Sequence, residues 1–309
     1  MQIIRSERIK YLPQDFYAEA AEHRRALEEY GIQVIDLSTE SPDMAPSLDI
    51  REAVSQSSLL AWNYSYSNGD MPPLREAARS WYWARFDVDL DPEREILFLD
   101  GSRDGLVHMF MAFTDPGDKV LICDPYRPAY LTGAVLAGCE PVFMPLRAEN
   151  DYLPDLSAIK TEDAEAAKVM VVSYPNDPTT ALAPDSFWNG LIAFAAKHNI
   201  LVINDNAYGD ITYDGVTTRS FLAFDGAKDV GIELNSLAHT YSIPGMRAAF
   251  MMGNADAVDA FSRLKNSLSP GSFYPVQYAV ITALTQEQSC VLDVRNMYEG
   301  RRNSMTAAL

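Results

Sequence analysis

Between residues 231 and 253 two short apolar runs enclose a polar loop, and this stretch limits most strongly what the chain can become. The first run, Gly231 to Leu234, leads into NSLAHTYSIPGMR, and the second, Ala248 to Met252, ends at Gly253. Apolar runs of four or five residues with Gly or Pro at their ends suit buried strands of a parallel sheet rather than helices. The loop therefore joins two strands. It brings Ser236, His239 and Arg247 within reach of one bound group.

Similar runs recur upstream. EILFLD, KVLICD, EPVFMP, AKVMVV and NILVIND each read as a strand, with helical or loop segments between them. Regular alternation of this kind predicts an α/β fold built on a mostly parallel sheet. In EILFLDGSRDGLVHMFMAF the strand covers Ile96 to Leu99, Gly101-Ser102-Arg103 make a tight turn, and a helix runs from Gly105. A strand, a glycine turn and a helix start gather free backbone N–H groups and the positive end of the helix dipole at one point, a ready phosphate site. His108 lies inside that helix and reads as a packed residue rather than a ligand. Residues 14–30 have helical apolar spacing through Phe16, Ala20 and Leu27, and His23 falls on the charged face.

Composition excludes several function classes. A chain of 309 residues holds one large α/β domain and part of a smaller one. With 43 acidic against 25 basic residues the net charge is −18, which argues against a nucleic-acid partner. No apolar run is long enough to span a membrane, and no secretory leader opens the sequence. Cys123, Cys139 and Cys290 have no metal-binding spacing and read as reduced thiols in a cytoplasmic protein.

The motifs together resemble the fold-type I pyridoxal-phosphate enzymes, the class I/II aminotransferases, and are most similar to the LL-diaminopimelate aminotransferase branch. The similarity runs from about residue 8 to the last residue. Ser236 and Arg247 sit at the two phosphate positions of the family's S-x-S-K-x7-R segment, with His239 in place of the lysine. Asp205 and Tyr208 match D-x-A-Y, where the carboxylate pairs with the pyridine nitrogen and the phenol donates to the ring oxygen. A capping aspartate at a strand end is the plainer reading of Asp205. Arg127 falls on the register of the ring-stacking aromatic in D-P-x-Y-P-x-Y, with Tyr126 one residue early. Asp177 holds the asparagine position of P-N-N-P-T-G, with Asn176 beside it and Thr180 for the glycine. In VIDLSTESPD, Ser38 and Glu40 stand where the family's L-G-x-G-x-P-D has glycines. YSYSNGDMPPLREAA matches the segment whose tyrosine reaches the neighbouring subunit's phosphate; Tyr64 and Tyr66 are both candidates, and a packed aromatic pair is the alternative.

The resemblance implies a fold-type I large domain, with a mixed, mostly parallel seven-stranded sheet flanked by helices and a partial small domain. It divides the chain into an N-terminal arm (1–45), the large domain (46–285) and the start of a C-terminal small domain (286–309), and places the arginine that grips the substrate carboxylate beyond Leu309. It further implies a cofactor, pyridoxal or pyridoxamine phosphate, held by Gly101, Ser102, Arg103, Arg127, Asn176, Asp177, Asp205, Tyr208, Ser236 and Arg247. The substrate is an amino or keto acid, and the assembly a homodimer or a heterodimer with an intact relative. The family's lysine links covalently to the cofactor and shuttles a proton. Imidazole has no primary amine but can move protons near neutrality. Three readings follow: non-covalent cofactor binding with impaired or no transamination, catalysis on pyridoxamine phosphate with His239 as base, and a non-catalytic partner subunit.

Overall fold

The computed structural model describes residues 3–12, 16–38 and 40–309. Seven strands form one sheet: β1 (Ile96–Leu99), β2 (Lys119–Asp124), β3 (Glu140–Pro145), β4 (Ala167–Val172), β5 (Leu201–Asn206), β6 (Gly231–Ser236) and β7 (Ala249–Gly253). Their order across the sheet is β1-β7-β6-β5-β4-β2-β3. All neighbours are parallel except β7, which runs antiparallel to both β1 and β6. A mostly parallel sheet is what the strand–helix alternation predicts, and its mixed, seven-stranded form is what the family resemblance implies.

Central strands covered by helices on both faces need apolar residues at every position, not at alternate ones. The burial agrees: β1 and β7 are buried throughout, and β4, β5 and β6 nearly so. Two apolar cores result, one on each face. One contains Phe98, Met170, Val202, Phe250 and Met252; the other contains Leu99, Val171, Ile203, Leu234 and Met251. The edge strand β3 is more exposed and carries Pro141 and Pro145, which suits a strand with one unpaired side.

Helix α1 (Phe16–Glu29) is the one expected over 14–30; residues 14 and 15 lie outside the described residues. Helices α2 (Leu48–Ser58) and α3 (Pro72–Phe86) pack against α10 (Tyr274–Thr285). Helix α4 (Ser102–Phe113) packs against α5 (Pro128–Ala137) and α9 (Ala255–Leu268). The others are α6 (Thr161–Ala166), α7 (Asp185–His198), α8 (Ala227–Val230) and the long α11 (Ser289–Ala308). Among the described residues no helix is long and apolar enough to cross a membrane. His23 is exposed, and His108 is half-buried beside Asp104 one turn earlier on α4. Cys123 and Cys139 are buried free thiols and Cys290 is half-buried; burial pushes the Cys123 thiol up to about 12.

The topology gathers the motifs at one edge. Strands β1, β2, β4, β5 and β6 point the same way, so their C-terminal ends lie together. From those ends run Gly101 after β1, Arg127 after β2, Asn176 and Asp177 after β4, Tyr208 after β5 and His239 after β6. Arg247 enters from the same edge just before β7. Ligands of open α/β sheets bind outside the carboxyl ends of their strands.

Candidate active site

At this edge a cavity of about 320 Å³ is lined by Gly101, Ser102, Arg103, Arg127, Ser236, His239 and Arg247, among others. Gly101 precedes α4 with φ +94°, a conformation open to glycine and costly for other residues. A Cβ there would lie 2.5 Å from Arg247 Nη2, so the glycine also makes room for the guanidinium. Ser102 opens α4, whose first turn leaves backbone N–H groups unsatisfied within the helix. Arg103 and Arg247 are exposed side chains on the cavity wall. This end of the cavity gathers free backbone N–H groups and guanidinium groups, the chemistry that suits an anion.

The other end is organised by Asp205, fully buried on β5. Its Oδ2 accepts from Arg127 Nη1 at 2.7 Å and from the Tyr130 hydroxyl at 2.8 Å. Its Oδ1 is buried with no partner. The Nε of Arg127 lies 3.4 Å from Asp177 Oδ2, so one guanidinium bridges two carboxylates. Burial works against the Arg127 charge, but Asp205 and the nearby phenols of Tyr130 and Tyr208 outweigh it and hold its pKa above the ordinary arginine value. Burial raises the Asp177 carboxyl, with Arg127 opposing. The guanidinium on the register of the family's stacking ring is thus engaged in ion pairs.

His239 stacks on Tyr208, with ring centroids 4.8 Å apart and planes 26° from parallel. Burial, then the Arg127 charge, lower its pKa below the usual 6.5, while Glu40 and Asp205 pull the other way. Burial and the Arg127 charge thus favour the neutral imidazole. It also lines a second, outer groove of about 930 Å³ with Glu40, Asp177, Tyr208, Arg301 and Arg302. His239 thus stands where the two spaces meet. Beside it, Thr240 donates to Asp210 (3.2 Å), which Arg85 holds from α3 (2.6 Å).

Asn176 lines the outer groove rather than the cavity, and Tyr64 and Tyr66, expected to reach a neighbouring subunit, line neither space. Asn176 is buried and turned to its own loop, accepting from Thr179 and donating to the Ser173 carbonyl. Tyr64 and Tyr66 do not line the cavity. Tyr64 donates to the Ser58 carbonyl and packs edge-on against Phe273, and Tyr66 is 91% exposed. In place of the alternative, a packed Tyr64–Tyr66 pair, Tyr64 has this Phe273 contact. Conversely, the sequence reading passed over Tyr130, although it closes the motif that supplied Arg127, and Tyr17, whose hydroxyl donates to Glu40 at 2.9 Å on the cavity wall.

The profile described as "Aminotransferase class I and II" matches residues 32–309. The chain belongs to the class I and II aminotransferase family. Among curated members it is 42% identical to an LL-diaminopimelate aminotransferase of Desulforudis audaxviator, over 100% of this chain and 79% of the relative. It is 39% identical to the enzyme of the same name from Moorella thermoacetica, over 96% of this chain and 77% of that one. Among solved structures, substrate-bound BacF from Bacillus subtilis superposes with a TM-score of 0.95 at 33% identity, covering 100% of this chain and 78% of that one. A probable N-succinyldiaminopimelate aminotransferase from Thermus thermophilus gives 0.90 at 33%, covering 95% and 79%. The fold is that of fold-type I aminotransferases, and family membership implies pyridoxal phosphate as cofactor. The residues present fit such a group. The glycine turn and Arg247 form a phosphate cradle, and the unpartnered Oδ1 of Asp205 is an acceptor awaiting a donor such as a protonated ring nitrogen.

Proposed function

We propose that this aminotransferase-family protein binds pyridoxal or pyridoxamine phosphate without a covalent link, and that its transamination is impaired or absent. The observation that carries the proposal is His239 at the family's lysine position, on the wall of the cavity that holds the phosphate motif. Arg247, Ser236 and the first N–H groups of α4 hold the phosphate, and Asp205 keeps the ring nitrogen protonated. When bound, the cofactor supplies an electron sink for bonds broken at an amino acid's α-carbon. Among the lining residues no amine replaces the missing lysine.

A second reading is favoured by one observation. His239 stacks on Tyr208 and lines both the phosphate cavity and the outer groove, where burial favours its neutral form. A neutral imidazole in that place takes or returns a proton without forming a covalent bond, which suits catalysis on pyridoxamine phosphate and an amino or keto acid in the groove. The exposed Tyr64 and Tyr66 support a dimer in which one of them completes the neighbour's site.

Equilibrium titration with pyridoxal phosphate and with inorganic phosphate tests the binding proposal. Saturable binding of both, lost together in Arg247→Ala, is expected; no binding of either at millimolar concentration contradicts it.

A further inference from the structure

Strand β5 carries Asp205 where its backbone ladder is running out. On the β4 side the last paired residues are Val172 and Asn204, so Asp205 and Asn206 have ladder partners only on β6. Side chains supply the missing hold. Ser173, just past β4, donates its hydroxyl to the Asp205 carbonyl at 2.8 Å. Alternation along the strand turns the residues on either side of Asp205 to the opposite face of the sheet. There both donate to Glu233, Asn204 Nδ2 to Oε2 at 2.9 Å and Asn206 Nδ2 to Oε1 at 3.0 Å. Glu233 also accepts from the Phe221 N–H (2.9 Å) and the Tyr82 hydroxyl (2.8 Å), and it has no exposed surface. A buried carboxyl with both oxygens hydrogen-bonded resists movement, because leaving any of these groups unpaired is costly. At Asp205 itself, Arg127 and Tyr130 use Oδ2, and Oδ1 is left without a partner.

We propose that Glu233 is a positioning residue for Asp205: by bonding both flanking asparagines it fixes the end of β5, and with it the direction of the free Oδ1. The inference rests on the reading that Oδ1 takes the protonated ring nitrogen of a phosphorylated pyridine. Glu233 itself lines neither the cavity nor the outer groove. Its influence is confined to the ring end. Gly101, the α4 turn and Arg247 lie on other elements, and Ser236, although on β6, is paired with Ala249 of β7.

Pyridoxamine phosphate is the ring probe, since it has no aldehyde to react with surface lysines, and inorganic phosphate is the ring-free control. Both are titrated against the unmodified chain, Glu233→Gln, Asn206→Ala and Tyr82→Phe. Glu233→Gln turns one acceptor into a donor, and Asn206→Ala cuts one of the two ties to β5. Each weakens pyridoxamine phosphate by about tenfold and leaves phosphate unchanged. Tyr82→Phe takes a donor from the same oxygen that Asn206 uses but cuts no tie to β5. It therefore lowers the unfolding temperature and leaves both affinities unchanged. With the ring nitrogen isotopically labelled, NMR reads that atom directly. The pH at which the bound nitrogen loses its proton falls by about one unit in Glu233→Gln and Asn206→Ala, and stays in place in Tyr82→Phe. If Glu233→Gln does not fold, Asn206→Ala carries the test alone. Full pyridoxamine phosphate affinity in Asn206→Ala, an equal loss in Tyr82→Phe, or parallel losses for both ligands overturns the proposal. Absence of pyridoxamine phosphate binding by the unmodified chain overturns the cofactor reading itself, and the proposal with it.

Discussion

The two ends of the cavity are built from different materials. The phosphate end relies on backbone: a glycine with φ +94°, the first turn of α4, and one arginine on the loop before β7. The ring end relies on side chains, with Asp205, Arg127 and Asp177 linked by ion pairs and His239 resting on Tyr208. Most of the family pattern survives at the first end, where Ala238 replaces the second serine of the S-x-S-K segment, and more departures collect at the second. A site made by chain geometry is constrained by the fold that makes it. A site made by side chains can change residue by residue, and here two departures, Arg127 and Asp177, lie 3.4 Å apart.

The largest expected effect separates the ends by stability. Asp205→Ala removes a fully buried partner of a mostly buried guanidinium, and should lower unfolding free energy by about 3 kcal/mol in denaturant titration. Arg247→Ala removes an exposed side chain and should stay within about 0.5 kcal/mol of the parent. Comparable losses in the two variants would break the distinction between a side-chain end and a backbone end.

Affinity should invert that order. A charge-assisted contact to phosphate is worth about 1.5–3 kcal/mol, so Arg247→Ala should weaken inorganic phosphate roughly 10- to 100-fold by calorimetry. Asp205→Ala should leave phosphate affinity nearly unchanged in the protein that remains folded.

The smallest effect concerns pH. The folded protein resists protonating His239, whereas the unfolded chain takes up a proton near pH 6.5. Stability should therefore fall as pH drops through the window just below 6.5, and His239→Gln should flatten that decline. Asp177 acts oppositely and lower: its raised pKa makes the fold take up a proton first, adding stability as pH falls toward 3.8. Thermal unfolding between pH 7.5 and 5, with and without His239→Gln, measures the first window.

Much of this was legible in the sequence, for reasons tied to how each part is encoded. Strand positions follow from local apolar runs, and the phosphate turn from contiguous Gly101-Ser102 and a helix start. Arg127 and Asp177 were legible as departures, but not as partners, because the ion pair between them joins the loops after β2 and β4, which are far apart in sequence. Asn176 borders the outer groove beside Asp177, as its place in the motif suggests, but its amide is used by its own turn. The fully buried Glu233 gave no signal at all. It accepts from Tyr82, Asn204, Asn206 and the Phe221 N–H, and so braces the strand that carries Asp205 from the opposite face of the sheet.

The most direct test of the central claim is reduction with borohydride in the presence of pyridoxal phosphate, followed by peptide mapping. Competition with inorganic phosphate distinguishes attachment inside the cavity from labelling of surface lysines. The account predicts no phosphate-suppressible adduct on the unmodified chain, and one at position 239 in His239→Lys. A phosphate-suppressible adduct on the unmodified chain, mapped to another lysine, would contradict it.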